Sequence, residues 1–255
     1  MAKYKIGITE AGDAGIDLSW ADKMESVDGA VLVTKNITTG LRDKVASNMK
    51  KYIIHATCTG YGGTILEPKV PTPQAQKDAL MTLVGIGFPR ERVVIRVDPI
   101  IPTAKGLNRA LDTIEMFMEE GFSRFRISVI DMYPHVRERF LAAGLPLPYG
   151  DGFYPSKEQL GDVDAMLLET KEFWVNQGGH PADLKIESCA EPGLKQAMPC
   201  GCISALDLAL LGLDTSDIDS QGPQRPKCMC YSGKTELLKC KQRCPHQCLY
   251  CYWRG

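Results

Sequence analysis

Six short apolar runs alternate with longer amphipathic stretches, and this alternation limits the fold more than any other feature of the chain. The runs are YKIGIT (4–9), GAVLVTKN (29–36), YIIHATCTG (52–60), RVVIRVDPII (92–101), SRFRISVID (123–131) and DLKIESCAE (183–191). Each is rich in β-branched residues and of strand length, and each is followed by polar or turn-forming residues. Between them, LRDKVASNMKK (41–51), PQAQKDALMTLVGIG (73–87), LNRALDTIEMFMEEG (107–121) and KEQLGDVDAMLLETKEFWVNQGG (157–179) carry helical periodicity. Thr72 or Pro73 and Ser156 are suited to open helices, and Gly121 and Gly178 to close them. Strand, helix, strand at this spacing predicts βαβ units and a parallel sheet. Repeated right-handed crossovers wrap such a sheet into a barrel or an arc of one. The expected fold is therefore α/β, a parallel (β/α)6 partial TIM-like barrel over residues 1–213. The run ISALDLALLGL (203–213) is expected to be a helix covering the open side. A Pro-, Gly- and Asp-rich loop (214–227) leads into a cysteine-rich tail, 214–255, expected to fold over the C-terminal rim of the strands.

With 255 residues the chain suits one substantial domain. A net charge of −1 does not mark the whole molecule as a binder of polyanions. MAKYKIGITEAGDAG has no apolar run after a basic start, and no stretch reaches bilayer-spanning length, so a cytoplasmic protein without membrane contact is expected. In a reducing compartment, ten cysteines point to metal or redox chemistry before disulfides. Cys58 stands apart, whereas Cys189, Cys200, Cys202, Cys228, Cys230, Cys240, Cys244, Cys248 and Cys251 all lie in the final third.

Every apolar run turns polar at its C-terminal end, where (β/α) barrels assemble active sites. These ends carry Glu10, Lys35, Thr59, Arg96 with Asp98, Asp131, and Glu187 with Cys189 and Glu191. Strand alternation puts Arg96 and Asp98 on one face, and likewise Glu187, Cys189 and Glu191. A buried structural ion pair is the plainer reading of Arg96 and Asp98 taken alone.

Near its C-terminal end the sequence reads CPHQCLYCYW, 244–253. Zinc asks for four ligands, so Cys228, Cys230, Cys240 or His246 would have to complete Cys244, Cys248 and Cys251. A cubane iron–sulfur cluster accepts three thiolates from a short loop.

Cys244-x3-Cys248-x2-Cys251, with Tyr250 before the third cysteine, resembles the signature of the radical S-adenosylmethionine superfamily. That resemblance implies a [4Fe-4S] cluster whose open iron chelates S-adenosylmethionine, with Tyr250 near the adenine. It further implies one-electron cleavage of the cofactor and hydrogen-atom abstraction from a substrate at the rim of a (β/α)6 partial barrel. In most of the superfamily the three cysteines follow the first strand, whereas here they end the chain. VLVTKN, TCTGYGGTILEPKVP, RVDPI, SVIDMY, ESCAE, QRPKCMC and CPHQCLYCY together resemble a bacterial family described only as a domain of unknown function. That second resemblance implies a shared barrel and cluster and supplies no substrate.

The resulting expectation is a radical enzyme. Cys244, Cys248 and Cys251 would hold the cluster, with Cys228, Cys230 and Cys240 as further ligands or as holders of a second cluster or a zinc. Tyr250, Glu10, Lys35, Thr59, Arg96 and Asp131 would bind the cofactor, while Asp98 and Glu187 would act on the substrate. Cys189 or Tyr133 would donate a hydrogen atom to a product radical. A small molecule or nucleotide is the expected substrate, and a flavodoxin or ferredoxin the electron donor. Arg225, Lys227, Lys234, Lys239, Lys241, Arg243 and Arg254 offset thiolate charge, so a nucleic-acid partner is the lesser reading of that segment. The alternative is a non-catalytic barrel, stapled by zinc or a cluster, that binds a nucleotide, nucleic acid or protein. Gly233-Lys234-Thr235 lacks the first glycine and the preceding strand of a phosphate loop, and His55, His135 and His180 have no partners at ligand spacing.

Overall fold

The computed structural model describes residues 2–189, 191, 193–216, 229–239 and 244–253. All six expected strands form: β1 (Ile6–Ile8), β2 (Gly29–Thr34), β3 (Tyr52–Thr57), β4 (Val93–Ile100), β5 (Arg124–Val129) and β6 (Lys185–Ser188). Two short strands join them, β7 (Met198–Pro199) and β8 (Lys234–Glu236). The eight make one all-parallel sheet in the order β7-β6-β5-β4-β3-β2-β1-β8. The sixfold count is thereby corrected to eight, with β7 and β8 at opposite edges and no pairing between them to close a barrel. Because β8 falls within residues 214–255, the tail contributes an edge strand to the sheet.

The helices are α1 (Thr39–Ala46), α2 (Pro73–Gly85), α3 (Ala104–Met118), α4 (Pro134–Ala142), α5 (Lys157–Asn176) and α6 (Ala205–Leu210). Thr38, Thr72, Thr103 and Ser156 accept from the first-turn amides of α1, α2, α3 and α5, satisfying N–H groups that a helix start leaves unpaired. The same face of the sheet packs against α1, α2, α3 and α5: Ala30, Leu32, Ile54, Val93, Ile95, Phe125 and Ile127 meet Leu41, Leu83, Ile114, Phe117 and Leu167. With α1, α2, α3 and α5 all on one face, the crossovers are singly wound βα units, not those of a doubly wound open sheet.

The opposite, inner face carries the alternate residues. Ile6, Ile8, Val31, Ile53 and Val94 form a second apolar cluster with Ile203 and Leu208. Helix α6 thus packs onto the inner face at the N-terminal half of the strands. Its capping box, Ser204 with Asp207, turns the Asp207 carboxylate toward Arg124, whose Nη2 donates to Oδ1 at 2.7 Å. Arg126 stands next on that strand face and pairs with Glu187 while its Nη2 lies 3.9 Å from Asp207 Oδ2. Buried His55, on the same face, is held well below its ordinary pKa by desolvation and by Arg126. No helix among the described residues is long and apolar enough to cross a membrane.

Burial disfavours the charged form of Asp207, but Arg126 and Arg124 outweigh it and hold the carboxyl at about 2, below its ordinary 3.8. A depressed folded pKa gives stability that is complete above the unfolded value and is lost as pH falls through the folded one. Asp207→Asn leaves two arginines buried without their shared counter-charge, and urea unfolding at pH 7 is expected to show a loss of about 3–5 kcal/mol. The gap between parent and variant is expected to narrow as the pH is taken from about 4 toward 2; a constant gap would show that the ion pairs contribute nothing.

Candidate functional site

The C-terminal ends of the strands bring inner-face polar residues into rows. Register pairs Thr57 with Arg96, Arg96 with Arg126, and Arg126 with Glu187, so these stand side by side across the sheet. The next inner-face positions outward are Asp98, Ser128 and Cys189. Asp98 is bonded to both Arg96 and the Ser128 hydroxyl. Desolvation opposes its charge, yet Arg96 and Ser128 hold its pKa below the ordinary value. On the other flank, Lys234 of β8 is ion-paired with Glu10 beyond β1. Burial, with the adjacent Cys202 thiol, pushes Glu10 up to about 7.

Over this mouth lies the end of the chain, attached at several independent points. His246 Nε2 is 2.7 Å from Asp13 Oδ2, and its Nδ1 is 3.2 Å from the Lys69 carbonyl. Asp13 is itself fixed by the Thr34 hydroxyl at 2.6 Å and the amides of Gly15 and Lys35. Gly15 is required there, because a Cβ would stand 1.7 Å from the Asn36 carbonyl oxygen. Tyr250, only 8% exposed, gives its hydroxyl to Glu67 and accepts from Lys35 Nζ at 2.9 Å. Lys35 also donates to Glu67 at 2.7 Å and stands 5.4 Å from the Tyr250 ring centre. Leu249 N–H donates to the Leu66 carbonyl, and Arg139 of α4 donates to the Cys251 carbonyl at 2.6 Å. Cys248 and Tyr250 are buried against Tyr61, Leu66, Val70, Ile101 and Val136.

The electrostatics of this seat are self-consistent. Burial works against the Lys35 charge, but Glu67 and the Cys248 thiolate form outweigh it, so Lys35 titrates above its ordinary value. Glu67 feels the same desolvation and is carried the other way, chiefly by Lys35. Burial and Glu67 drive Tyr250 well upward, which leaves it a neutral donor.

Cys244, Cys248 and Cys251 are free thiols. Burial pushes Cys248 up to about 12; Lys35 lowers it, while Glu67, Cys244 and Cys251 raise it. Cys244 is also raised, first by burial and then by Asp13 and Cys251. Cys244 and Cys248 are thus each near enough to another tail cysteine for its charge to oppose their ionisation, an opposition that a bound cationic centre reverses. Among the described residues, no group of three or more His, Cys, Asp and Glu side chains already stands at metal-holding geometry.

The expected site residues separate into four places. Lys35, Thr59 and Tyr250 belong to the seat of the tail, where the Thr59 hydroxyl bonds Glu67 and Tyr250. Glu10, Arg96, Asp98 and Cys189 line the mouth. Glu187 lies deeper and is ion-paired with Arg126. Tyr133 belongs to an aromatic lip, stacked on Tyr252 and His135 and edge-on to Phe153, and Asp131 is half-buried beside it. Cys230 contacts Cys202 and Lys234, not the tail thiols, while Cys228 and Cys240 lie outside the described residues. Glu67, His246, Arg126 and Lys234 were not expected as partners. Glu67 sits within GGTILEPKVP, a loop with no strand or helix periodicity to mark its carboxylate as inward-facing.

A family model described as Domain of unknown function (DUF1848) matches residues 18–253. No curated protein and no solved structure is detectably similar to the chain.

If the tail is held as described, His246→Ala removes a bond to a buried carboxylate worth about 1.5–3 kcal/mol. The undocked fraction then rises at least about tenfold. Iodoacetamide labelling followed by mass spectrometry is expected to show Cys248 alkylated faster by that factor, with buried Cys58 unchanged as the internal reference. Equal Cys248 rates in parent and variant would mean that His246 does not hold the tail.

Proposed function

We propose that this chain, which belongs to the DUF1848 family, is a radical S-adenosylmethionine-type enzyme acting on a small-molecule or nucleotide substrate at the inner-face mouth. The observation that carries this reading is the seating of Cys244-x3-Cys248-x2-Cys251 over the C-terminal ends of the strands. His246–Asp13 and Tyr250–Lys35–Glu67 fix that segment beside the polar row of Glu10, Arg96 and Asp98. Such a rim is where barrel-type folds perform chemistry.

The donor set suits a [4Fe-4S] cluster held by three cysteines. Cys244, Cys248 and Cys251 fall within eight residues, and the ionisation of Cys244 and of Cys248 is opposed by the neighbouring tail cysteines. His246 has both ring nitrogens engaged, by Asp13 and the Lys69 carbonyl, and so is not available as the fourth ligand a zinc site needs. A cluster bound here would supply one-electron reductive cleavage of S-adenosylmethionine, fed by a donor such as flavodoxin or ferredoxin.

The chain's own residues supply position and shielding. Lys35, buried beside Cys248, contributes fixed positive charge next to the thiolates. Because the Tyr250 ring is sealed under the seat with Lys35 over it, Tyr250 anchors the tail; an adenine would not lie on that ring face. Arg96, Asp98 and Ser128 form a bonded constellation suited to hydroxyl or amide groups of a substrate. Glu10 with Lys234 can donate or accept a proton near neutrality. Tyr252, 53% exposed and near the charges of Glu10, Asp98 and Arg96, stands at the entrance. Cys189 in the mouth and Tyr133 in the lip are the hydrogen-atom donors of this reading. A cytoplasmic, reducing location accords with the free thiols.

Anaerobic reconstitution with iron and sulfide is expected to give about four irons per chain at the tail, with dithionite-dependent release of 5′-deoxyadenosine from S-adenosylmethionine. Cys244→Ala, Cys248→Ala and Cys251→Ala should each abolish both, whereas Cys58→Ala should leave both intact. Tail-bound zinc with no response to S-adenosylmethionine would instead favour a non-catalytic, metal-stapled barrel.

A further inference from the structure

Four cysteines gather away from the tail, on the inner face: Cys189 after β6, Cys200 and Cys202 after β7, and Cys230 before β8. They come from segments far apart in sequence and sit where the two edges of the open sheet approach. The edge strands β7 and β8 do not pair, yet the loops beyond them touch. Tyr231 N–H reaches the Ile203 carbonyl at 3.3 Å, and Cys202 N–H reaches Cys230 Sγ at 3.1 Å. Gly201 makes this approach possible. A Cβ there would stand 2.4 Å from the Met229 carbonyl oxygen and 2.5 Å from the Cys230 backbone, so only glycine fits between the two Cys-x-Cys segments.

The thiols within this junction are arranged around Cys202. Its Sγ lies 3.8 Å from Cys189 Sγ, and Cys189 and Cys230 are the neighbours that most influence its ionisation. The Glu10 carboxyl is close enough to Cys202 for that thiol's charge to oppose its ionisation, and Lys234 Nζ is 4.0 Å from Cys230 Sγ while pairing with Glu10. Cys200 is turned away, toward Arg126 Nη2 at 3.3 Å and the Gly201 carbonyl. Two thiolates on one tetrahedral zinc, each about 2.3 Å from the metal, stand about 3.8 Å apart; a disulfide would need about 2.05 Å. The Cys189–Cys202 separation is thus that of two ligands on one ion.

We propose that Cys189, Cys202 and Cys230, with Glu10 completing the set, form a mononuclear site for a thiolate-preferring divalent ion of the zinc class. Among the described residues no three of these side chains already stand at metal-holding geometry, so closing the set requires the Cys230 thiol to turn from the Cys202 amide. Binding exchanges thiol protons for the ion and releases them to solvent, with no change in oxidation state. Lys234 and Arg96 offset the excess negative charge of three thiolates and a carboxylate. The ion would join the loop after β7 to the segment before β8, stapling sheet edges that no backbone ladder connects. A ligated Cys189 is not a free thiol and a ligated Glu10 carries no proton, so with the ion bound the proposed reaction has Tyr133 as its hydrogen-atom donor and draws no proton from Glu10.

The site is tested without the tail thiols, so its outcome is independent of the radical reading. In the full chain carrying Cys244→Ser, Cys248→Ser and Cys251→Ser, titration with cobalt(II) and then zinc is followed by absorption and by competition with a chromophoric chelator. About one ion per chain is expected, with thiolate-to-cobalt charge transfer and tetrahedral d–d bands. Adding Cys202→Ser should weaken zinc binding at least about a hundredfold, and Cys189→Ala, at a half-buried position that folding tolerates better, should weaken it as well. Circular dichroism of each variant separates lost ligation from lost fold. Cobalt binding without thiolate charge transfer, unchanged affinity in folded Cys189→Ala, or a metal-free Cys189–Cys202 disulfide found by peptide mapping would each overturn the site.

Discussion

A parallel strand has two faces, and the period of two that assigns residues to them is the constraint on which everything else here rests. On β2 to β5 the odd or even set that meets the helices is uniformly apolar, as in Leu32, Ile54, Ile95 and Ile127. On β2 to β4 the complementary set starts apolar, with Val31, Ile53 and Val94, and becomes charged beyond, with Arg96 and Asp98, whereas on β5 it carries Arg124 and Arg126. One register slip would exchange the two sets and drive arginines into the helix interface. The outer core therefore holds the register, and the register sets the polar row at the mouth.

Charged groups on the inner face are tolerated because each is answered by another brought from a distant segment. Asp207 of α6 faces Arg124 and Arg126 of β5, Glu187 of β6 closes on Arg126, and Lys234 of β8 closes on Glu10. The tail follows the same rule. Its docking relies on Asp13, Lys35 and Glu67, buried groups that require partners, and His246 and Tyr250 are the partners they receive. Burial then has a chemical consequence, since it raises the pKa of both Cys244 and Cys248 and so favours their protonated thiols.

Much of the scaffold was legible because its signals are local. The six long strands and α2, α3 and α5 fall where apolar runs, caps and terminating glycines predict them. Helix α4 was not, because PHVRERFLA buries only Val136 and Phe140 and is otherwise polar. The two edge strands escaped notice for a different reason. Met198–Pro199 and Lys234–Glu236 are too short to carry alternation, and they become strands only because β6 and β1 offer unpaired edges. Helix α6 was placed correctly along the chain, yet its role as an inner-face plug follows from Asp207, whose arginine partners lie more than eighty positions earlier.

By itself the sequence determined the βα alternation, the polar strand ends and the three-cysteine spacing at 244, 248 and 251, because each is written in neighbours a few residues apart. Only the tertiary structure decided which distant groups meet. It paired His246 with Asp13, seated Tyr250 between Lys35 and Glu67, and drew Cys230 to Cys202 instead of to the tail. Those pairings depend on strand order and on where loops cross the rim, and periodicity along a chain carries no record of either.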